Sequence, residues 1–216
     1  MPAPEARAFD AVVFDFGGVI ISPITEKIER LAERNGTDVR TLLGVLMGPP
    51  HDTEDHPWHR AERGELPVAT MQGLLDPWAA AAGVTLRGDE MAVMMDSSYR
   101  FNDQVVERIG RLHHQGYRTA LLTNSVVEFR PALDRDLIGK GLFDVVIDSS
   151  EVGLRKPDPR IFTATTDRLG LAPDRILYLD DFVWNVEGAR LAGWRVIHVT
   201  DPTAALVELD AVLGHN

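Results

Sequence analysis

Three aspartates that follow apolar runs have the residue type and spacing to do chemistry. Asp15 follows the run VVF of residues 12–14, and Asp180 and Asp181 follow the run ILYL of residues 176–179. An aspartate carboxylate can act as a nucleophile and form a covalent intermediate with an electrophilic centre. Two adjacent carboxylates repel each other unless a cation offsets them, so the pair predicts a hard, oxygen-binding ion, with Mg²⁺ as the first candidate.

A second group of polar residues could hold a phosphate. Thr123 and Asn124 follow the run 118–122, and hydroxyl and main-chain N–H groups at a strand end can bind phosphate oxygens. Lys156 lies in the loop sequence RKPDPR and offers a positive charge. Each signal has an ordinary structural explanation when taken alone: a turn for Thr-Asn-Ser, a solvated surface for the lysine, and a helix N-cap for the aspartate pair.

Taken together, these residues resemble the motifs of the haloacid dehalogenase superfamily of phosphatases and related hydrolases. The resemblance covers nearly the whole chain, and its four short motifs occur in that family's order. Four ordered motifs are far more specific than any one of them. The motif residues are Asp15 in FDFGG, Thr123 and Asn124 in LLTNS, Lys156 in GLRKPDPRIF, and Asp180 and Asp181 in LYLDDFVWNVEGA.

The resemblance implies a role for each motif residue. Asp15 would be the nucleophile that forms an aspartyl phosphate, and Lys156 would stabilise the phosphoryl group and orient Asp15. Mg²⁺ would be bound by Asp15, Asp181 and the main-chain carbonyl of Gly17, with Asp180 acting through water or from behind the direct ligands. The substrate phosphate would be bound by Thr123, Asn124 and Lys156.

Residue 17 departs from the pattern of most phosphatases in this superfamily. They carry a second aspartate two positions after the nucleophile, which protonates the leaving oxygen and then activates water, whereas this chain has Gly17. Loss of a general acid–base costs about 10²- to 10⁴-fold in rate. The chain therefore needs a good leaving group, another proton carrier, or tolerance of slow turnover.

The most similar subgroup is the small helical-cap phosphatases that act on sugar phosphates. Some of its members also have a non-acidic residue two places after the nucleophile, and the segment WHRAERGEL resembles part of their caps. An anomeric sugar oxygen is a better leaving group than an ordinary alcohol, so a sugar 1-phosphate is a coherent substrate for a chain with Gly17.

Three functional hypotheses follow from these motifs. The first is a Mg²⁺-dependent phosphatase acting on a small phosphate monoester. The second is a carbon–halogen hydrolase, which lacks the second acid but needs no metal, so Asp180 and Asp181 argue against it. The third is a catalytically weak or inactive phospholigand-binding protein that kept the fold and lost the acid.

The distribution of apolar runs predicts the fold class. Five runs, at residues 11–14, 118–122, 144–148, 176–179 and 195–199, are separated by amphipathic segments. This alternation predicts an α/β protein with a Rossmann-like, doubly wound, parallel five-stranded sheet. The first two runs are about 100 residues apart, and the intervening sequence has helical patterns over 26–33, 39–47, 69–82 and 89–99. We therefore expect a catalytic core of residues 1–22 and 100–216 with an inserted all-helical cap of residues 23–99.

The cap is expected to move relative to the core. Its two connections, near Ser22-Pro23 and from Tyr99 to Asn102, are the expected hinges, because closure would exclude water from a phosphoryl intermediate.

Composition excludes several functional classes. The 216-residue chain carries a formal net charge of −11 and has no cysteine. Net acidity disfavours binding to nucleic acid or anionic membranes, and the absence of cysteine excludes disulfides and thiolate chemistry. No apolar run approaches the length of a membrane span and no signal peptide is evident. We expect a cytoplasmic monomer or homodimer whose partner is a small phosphorylated metabolite.

A histidine-rich segment of the cap could suggest a second metal site. Its spacings of five and three residues fit zinc patterns poorly. A substrate-facing role for His56, His59 or Trp58 is the better interpretation, because this segment should lie over the cleft. The cluster consists of His51, His56 and His59 with Asp52, Glu54 and Asp55.

Overall fold

The computed structural model describes residues 7–50, 55–96 and 99–214. Its centre is a five-stranded, all-parallel sheet with the strand order β3-β2-β1-β4-β5. The predicted fold class is therefore confirmed. The strands are β1 (Ala11–Phe14), β2 (Arg118–Thr123), β3 (Val145–Asp148), β4 (Ile176–Asp180) and β5 (Arg195–His198).

Helices cover both faces of this sheet. In β1, Val12 and Phe14 belong to one hydrophobic cluster, whereas Ala11 and Val13 belong to another on the opposite face. All four side chains are fully buried, as expected for a central parallel strand covered on both sides.

The helices fall into an inserted group and a sheet-flanking group. The inserted helices are α1 (Thr25–Asn35), α2 (Val39–Met47), α3 (Pro57–Glu62), α4 (Met71–Leu74), α5 (Asp76–Ala81) and α6 (Glu90–Met94). The sheet-flanking helices are α7 (Asp103–His114), α8 (Arg130–Asp136), α9 (Ser149–Val152), α10 (Pro159–Leu169), α11 (Val183–Leu191) and α12 (Pro202–Leu213). No helix in the described part of the chain is long and apolar enough to cross a membrane.

The inserted helices form a third hydrophobic cluster of their own, which also includes Val126 from the segment after β2. Two expected helices differ from the structure. The pattern over 69–82 is divided into a short 3₁₀ turn, α4 and α5, with Pro77 in the first turn of α5. Proline lacks an N–H and clashes with the preceding turn, so a continuous helix cannot pass through it. Within the described part of the pattern over 89–99 the structure has the short α6, and α3 was not predicted.

The two connections between the inserted helices and the sheet run side by side. The main-chain N–H of Ser22 donates to the carbonyl of Arg100 at 2.9 Å, and that of Asn102 donates to the carbonyl of Ile20 at 2.8 Å. The expected hinges are therefore hydrogen-bonded to each other. Movement at this pair of connections stays a prediction.

Candidate active site

The sheet topology brings three of the motif-bearing strand ends together. β1 pairs in register with β2 on one side and β4 on the other, so Phe14 lies opposite both Leu121 and Leu179. The chain places β2 and β3 on one side of β1 and then β4 and β5 on the other side. This reversal of strand order places a cleft at the carboxyl end of β1. Asp15 follows β1 there, Thr123 ends β2, and Asp180 ends β4.

Lys156 is buried at the centre of the site, where its ammonium group contacts four protein groups. Its ammonium Nζ lies 2.8 Å from Asp15 Oδ1 and 2.7 Å from Asp180 Oδ2. It also donates to the carbonyl of Leu122 at 3.1 Å and to the hydroxyl of Tyr178 at 3.0 Å. Burial alone would lower the pKa of Lys156, but the Asp15 and Asp180 carboxylates outweigh burial and raise the pKa. The lysine is therefore held charged beside Asp15.

Asp180 is surrounded by donors. Besides Lys156, it accepts from the N–H of Phe182 at 2.8 Å, from Asn185 Nδ2 at 3.1 Å, and from the hydroxyl of Tyr178. A carboxylate with this many donors is fixed in place and has little capacity left for a direct metal bond. Its geometry suits a residue that orients Lys156.

Asn124 has a comparable supporting position. Its side-chain Oδ1 accepts from the N–H of Lys156 at 2.8 Å, and its Nδ2 donates to the carbonyl of Lys156 at 3.0 Å. This pair of bonds ties the end of β2 to the loop that carries the lysine. The side-chain amide of Asn124 is thus engaged with protein, so the predicted binding of phosphate would fall to its main chain. Thr123 is buried at the adjacent strand end.

The site has more carboxylates than ammonium groups, so a bound cation would stabilise it. Ligand atoms of Asp15, Asp180 and Asp181 all lie within 4.8 Å of one another. Burial raises the pKa of Asp15 to about 7, although Lys156 opposes the shift. Burial, with the neighbouring Asp15 and Asp180, also raises the pKa of Asp181 well above its usual value. One ammonium does not neutralise three carboxylates.

Asp181 supplies the test of whether a metal fits. Its Oδ1 is buried and has no hydrogen-bond partner among the described residues. Burying a carboxylate oxygen without a partner is costly, and a divalent cation would relieve that cost. The donors are all oxygens, as Mg²⁺ prefers. Asp15 and Asp181 therefore fit a hard cation, and the carbonyl of Gly17 remains a proposed third ligand.

The two glycines after Asp15 differ in what they tolerate. A Cβ added at Gly17 would meet no atom within 4 Å, and its φ lies outside the left-handed region. Gly18 has a φ of +69°, and a Cβ there would overlap the carboxylate of Asp181. Only Gly18 is therefore required to be glycine by its conformation and surroundings.

A cavity of about 760 Å³ extends from this centre towards the inserted helices. Trp58, Glu62 and Arg155 are among the residues that line it. Arg155 Nε lies 2.6 Å from Glu62 Oε2, and Trp58 Nε1 donates to Glu62 Oε1 at 2.8 Å. Arg155, which precedes Lys156, thus forms an ion pair with the buried Glu62 of α3. This contact was not predicted from the sequence.

Of the three alternatives for a substrate-facing residue in this segment, one lines the cavity. Trp58 lines the cavity, but His56 and His59 are buried and are absent from the described lining. His56 accepts from the N–H of Trp58 at 3.2 Å and so caps α3. His51, Asp52 and Glu54 lie outside the described residues, and the rejected zinc cluster lies partly with them.

Comparison with known proteins decides the family. The model of the haloacid dehalogenase-like hydrolases matches residues 9–193. The chain belongs to this family. The haloacid dehalogenase-like fold therefore accounts for the parallel sheet and for the motif order along it, and the protein is a hydrolase of this kind.

Sequence relatives of this haloacid dehalogenase-like hydrolase include larger proteins. It is 31% identical to acyl-CoA dehydrogenase family member 10 of Mus musculus, over 96% of this chain but 19% of the relative. It is 32% identical to bifunctional epoxide hydrolase 2 of Rattus norvegicus, over 96% of this chain and 39% of the relative. It thus spans well under half of these relatives. A shorter match, 41% identical over 42% of this chain and 37% of the relative, is to a phosphoserine phosphatase of Thermus thermophilus.

Solved structures of the family share the fold. The crystal structure of a dehalogenase aligns with 97% of this chain and with 99% of the dehalogenase chain, with a TM-score of 0.67 and 19% sequence identity. A family enzyme of Bacteroides thetaiotaomicron was solved in complex with magnesium and inorganic phosphate. The alignment covers 88% of this chain and 93% of that enzyme's chain, with a TM-score of 0.60 and 18% sequence identity. At these identities the likeness establishes the fold alone.

Proposed function

We propose that this chain is a Mg²⁺-dependent phosphatase that hydrolyses a small phosphate monoester through an aspartyl phosphate on Asp15. One observation carries the proposal: a carboxylate at the end of β1 lies 2.8 Å from a buried ammonium, beside a second carboxylate with an unpartnered buried oxygen. This arrangement provides a nucleophile, a positive charge for the phosphoryl oxygens, and a seat for a cation.

Residues of the chain carry out the attack on phosphorus and stabilise the phosphoryl group. Asp15 attacks phosphorus, and the oxygen of the substrate's alcohol departs with the bonding electrons. Lys156 neutralises charge on the phosphoryl group, while Thr123 and the main chain of Asn124 hold its other oxygens. Water then attacks the aspartyl phosphate, releasing phosphate and restoring Asp15.

The metal site is proposed at Asp15, Asp181 and the carbonyl of Gly17. A bound Mg²⁺ would supply Lewis-acid stabilisation of the phosphoryl charge. Asp180 is proposed to act behind these ligands by holding Lys156. The proposed division into a catalytic core of residues 1–22 and 100–216 and a cap of residues 23–99 follows the separate hydrophobic cluster of the inserted helices.

The proton for the leaving group has no assigned source. Glu62 lines the cavity, but its carboxylate is paired with Arg155 and Trp58. His56 and His59 are buried inside the cap. With Gly17 in place of the usual acid, we propose that the enzyme favours substrates whose alcohol leaves without protonation. The anomeric oxygen of a sugar 1-phosphate leaves more readily than an ordinary alcohol oxygen, so a sugar 1-phosphate stays a predicted substrate.

A phosphate-release assay with and without Mg²⁺ tests the proposal. Acetyl phosphate is a suitable first substrate, because acetate leaves without a proton. We expect release that needs Mg²⁺ and that Asp15→Asn abolishes in a folded protein. Residual turnover within tenfold of wild type in Asp15→Asn would remove Asp15 from its role. Metal-independent release of halide from a 2-haloacid would instead support the dehalogenase alternative. Phosphate binding without turnover would support the non-catalytic one.

A further inference from the structure

The cavity beside Asp15 is much larger than a phosphate group requires. Its volume of about 760 Å³ lies within the range of pockets that enclose a whole organic ligand. Because the cavity is continuous with Asp15 and Lys156, its remaining space is available to the alcohol part of the substrate.

The walls of this space are largely hydrocarbon. The apolar side chains of these walls come from the residue before α1, from α2 and α6, and from the segment after β2. Met94 and Val126 are buried, and the others are partly exposed towards the cavity. Such walls favour an apolar ligand, since apolar area is removed from water on binding. The residues are Ile24, Leu43, Met47, Met94, Val126 and Phe129.

Several polar side chains of the lining are already engaged with protein. Glu62 is paired with Arg155. Lys27 donates to the carbonyl of Met94 at 3.3 Å and to that of Asp96. Glu26 is paired with Arg100 at 3.0 Å. A sugar hydroxyl placed beside these residues would have to break such a pair or remain without a partner, which costs free energy.

We propose that the natural substrate is a phosphate monoester whose leaving group is acidic, such as a phenol, and carries a hydrocarbon group of several carbons. The phosphate would lie at Asp15 and the hydrocarbon group along Leu43, Met47 and Phe129. This inference rests on the proposed phosphatase function and replaces the sugar with an apolar leaving group. Each additional buried methylene raises kcat/KM by about threefold to fourfold, chiefly through a lower KM.

A homologous series of 4-alkylphenyl phosphates isolates this effect. Their leaving phenols have nearly the same acidity, so the missing acid at Gly17 affects all members alike while the hydrocarbon length varies. We would measure kcat and KM from methyl to hexyl below the concentrations at which the compounds self-associate, with glucose 1-phosphate alongside. Acetyl phosphate serves as the reference for phosphatase activity itself.

Variants locate the hydrocarbon group in the cavity. Leu43→Asn should flatten the dependence on chain length, and Leu43→Met should preserve it. Leu74 offers a matched control: it is a leucine of the inserted helices that is 43% exposed and does not line the cavity. Leu74→Asn should leave the wild-type dependence in place. Each series is normalised to the same variant's rate on acetyl phosphate, so a general loss of activity does not mimic the effect.

A kcat/KM that rises along the series, and that Leu43→Asn flattens while Leu74→Asn does not, would support the proposal. A flat or falling series would overturn it, as would glucose 1-phosphate exceeding the hexyl compound. An unchanged slope in Leu43→Asn would overturn the placement along α2. If acetyl phosphate itself is not hydrolysed with Mg²⁺, the phosphatase proposal fails, whereas hydrolysis of acetyl phosphate with a flat series contradicts only the hydrocarbon substrate.

Discussion

Replacing Gly17 with aspartate should restore the acid that this chain lacks. A Cβ at residue 17 meets no atom within 4 Å, and the backbone there is not left-handed. The aspartate can therefore be accommodated without moving the proposed metal-binding carbonyl. Its carboxyl group would enter the cavity that Gly17 and Asp15 both line.

The size of the gain depends on the leaving group. A positioned general acid contributes about 10²- to 10⁴-fold, which corresponds to about 2.7–5.4 kcal/mol of transition-state stabilisation. Simple alkyl phosphates need that proton most, so their rates should rise towards this range in Gly17→Asp. Acetyl phosphate needs no proton, so its rate should change little. The dependence of rate on leaving-group pKa should therefore become flatter.

The assay is a leaving-group series under conditions in which chemistry limits the rate. Gly17→Ala is the matched control, because it adds the Cβ without the carboxyl group. Gly18→Ala is the opposite control, since its Cβ would overlap Asp181 and its φ of +69° disfavours any side chain. We expect Gly18→Ala to lower metal affinity and every rate.

Three results would refute this reasoning. An equal gain in Gly17→Ala would show that the carboxyl group is not the cause. A wild-type enzyme with no leaving-group dependence would show that another residue already supplies the proton. Loss of all activity in Gly17→Asp, with metal affinity reduced, would contradict the open geometry at residue 17.

Three further predictions concern the metal, pH and the contact between core and cap. Asp181→Ala should weaken Mg²⁺ binding measured by calorimetry at least tenfold, because it removes a proposed direct ligand, and unchanged affinity would contradict the site. Burial lowers the pKa of His59 from 6.5 to about 3, so below pH 6.5 only the unfolded chain takes up this proton and stability falls. Between pH 7.5 and 5.0, wild type should lose about 2 kcal/mol more unfolding free energy than His59→Asn in urea titrations; equal losses would contradict this. Glu62→Ala should cost about 2–3 kcal/mol because it leaves Arg155 largely buried and unpaired, and adding Arg155→Met should recover part of that loss; simple additivity would argue against the pair.

The sheet and the motif residues could be predicted from sequence because each signal is local. Apolar runs gave strand bounds within a residue or two, as for β1 and β4. The order of the runs with their spacing indicated a parallel sheet, and parallel strand ends meet at one edge. The approach of Asp15 to the aspartate pair follows from that topology.

The supporting contacts could not be predicted because they join distant parts of the chain. Arg155 and Glu62 are 93 residues apart, and Asn124 and Lys156 are 32 apart. Nothing in the local pattern of either residue indicates its partner. The short α3 was missed because six residues are too few for helical periodicity, although Pro57 in its first turn was an available signal.

The contact between Tyr178 and Asp180 could have been predicted from their spacing in β4. Tyr178 lies two residues before Asp180 in β4, so both side chains point to the same face of the sheet. A buried tyrosine hydroxyl usually has a partner, and here it donates to Asp180. The period-two rule therefore allowed this contact to be anticipated from sequence.

Trapping the covalent intermediate tests the central claim most directly. Wild-type enzyme would be mixed with Mg²⁺ and ³²P-labelled acetyl phosphate, quenched in acid within milliseconds, and mapped by peptide digestion. We predict label on the peptide that carries Asp15, lost on a chase with unlabelled substrate and absent from Asp15→Asn. Turnover with no label at Asp15, or with label on another residue, would contradict an aspartyl-phosphate mechanism at this site.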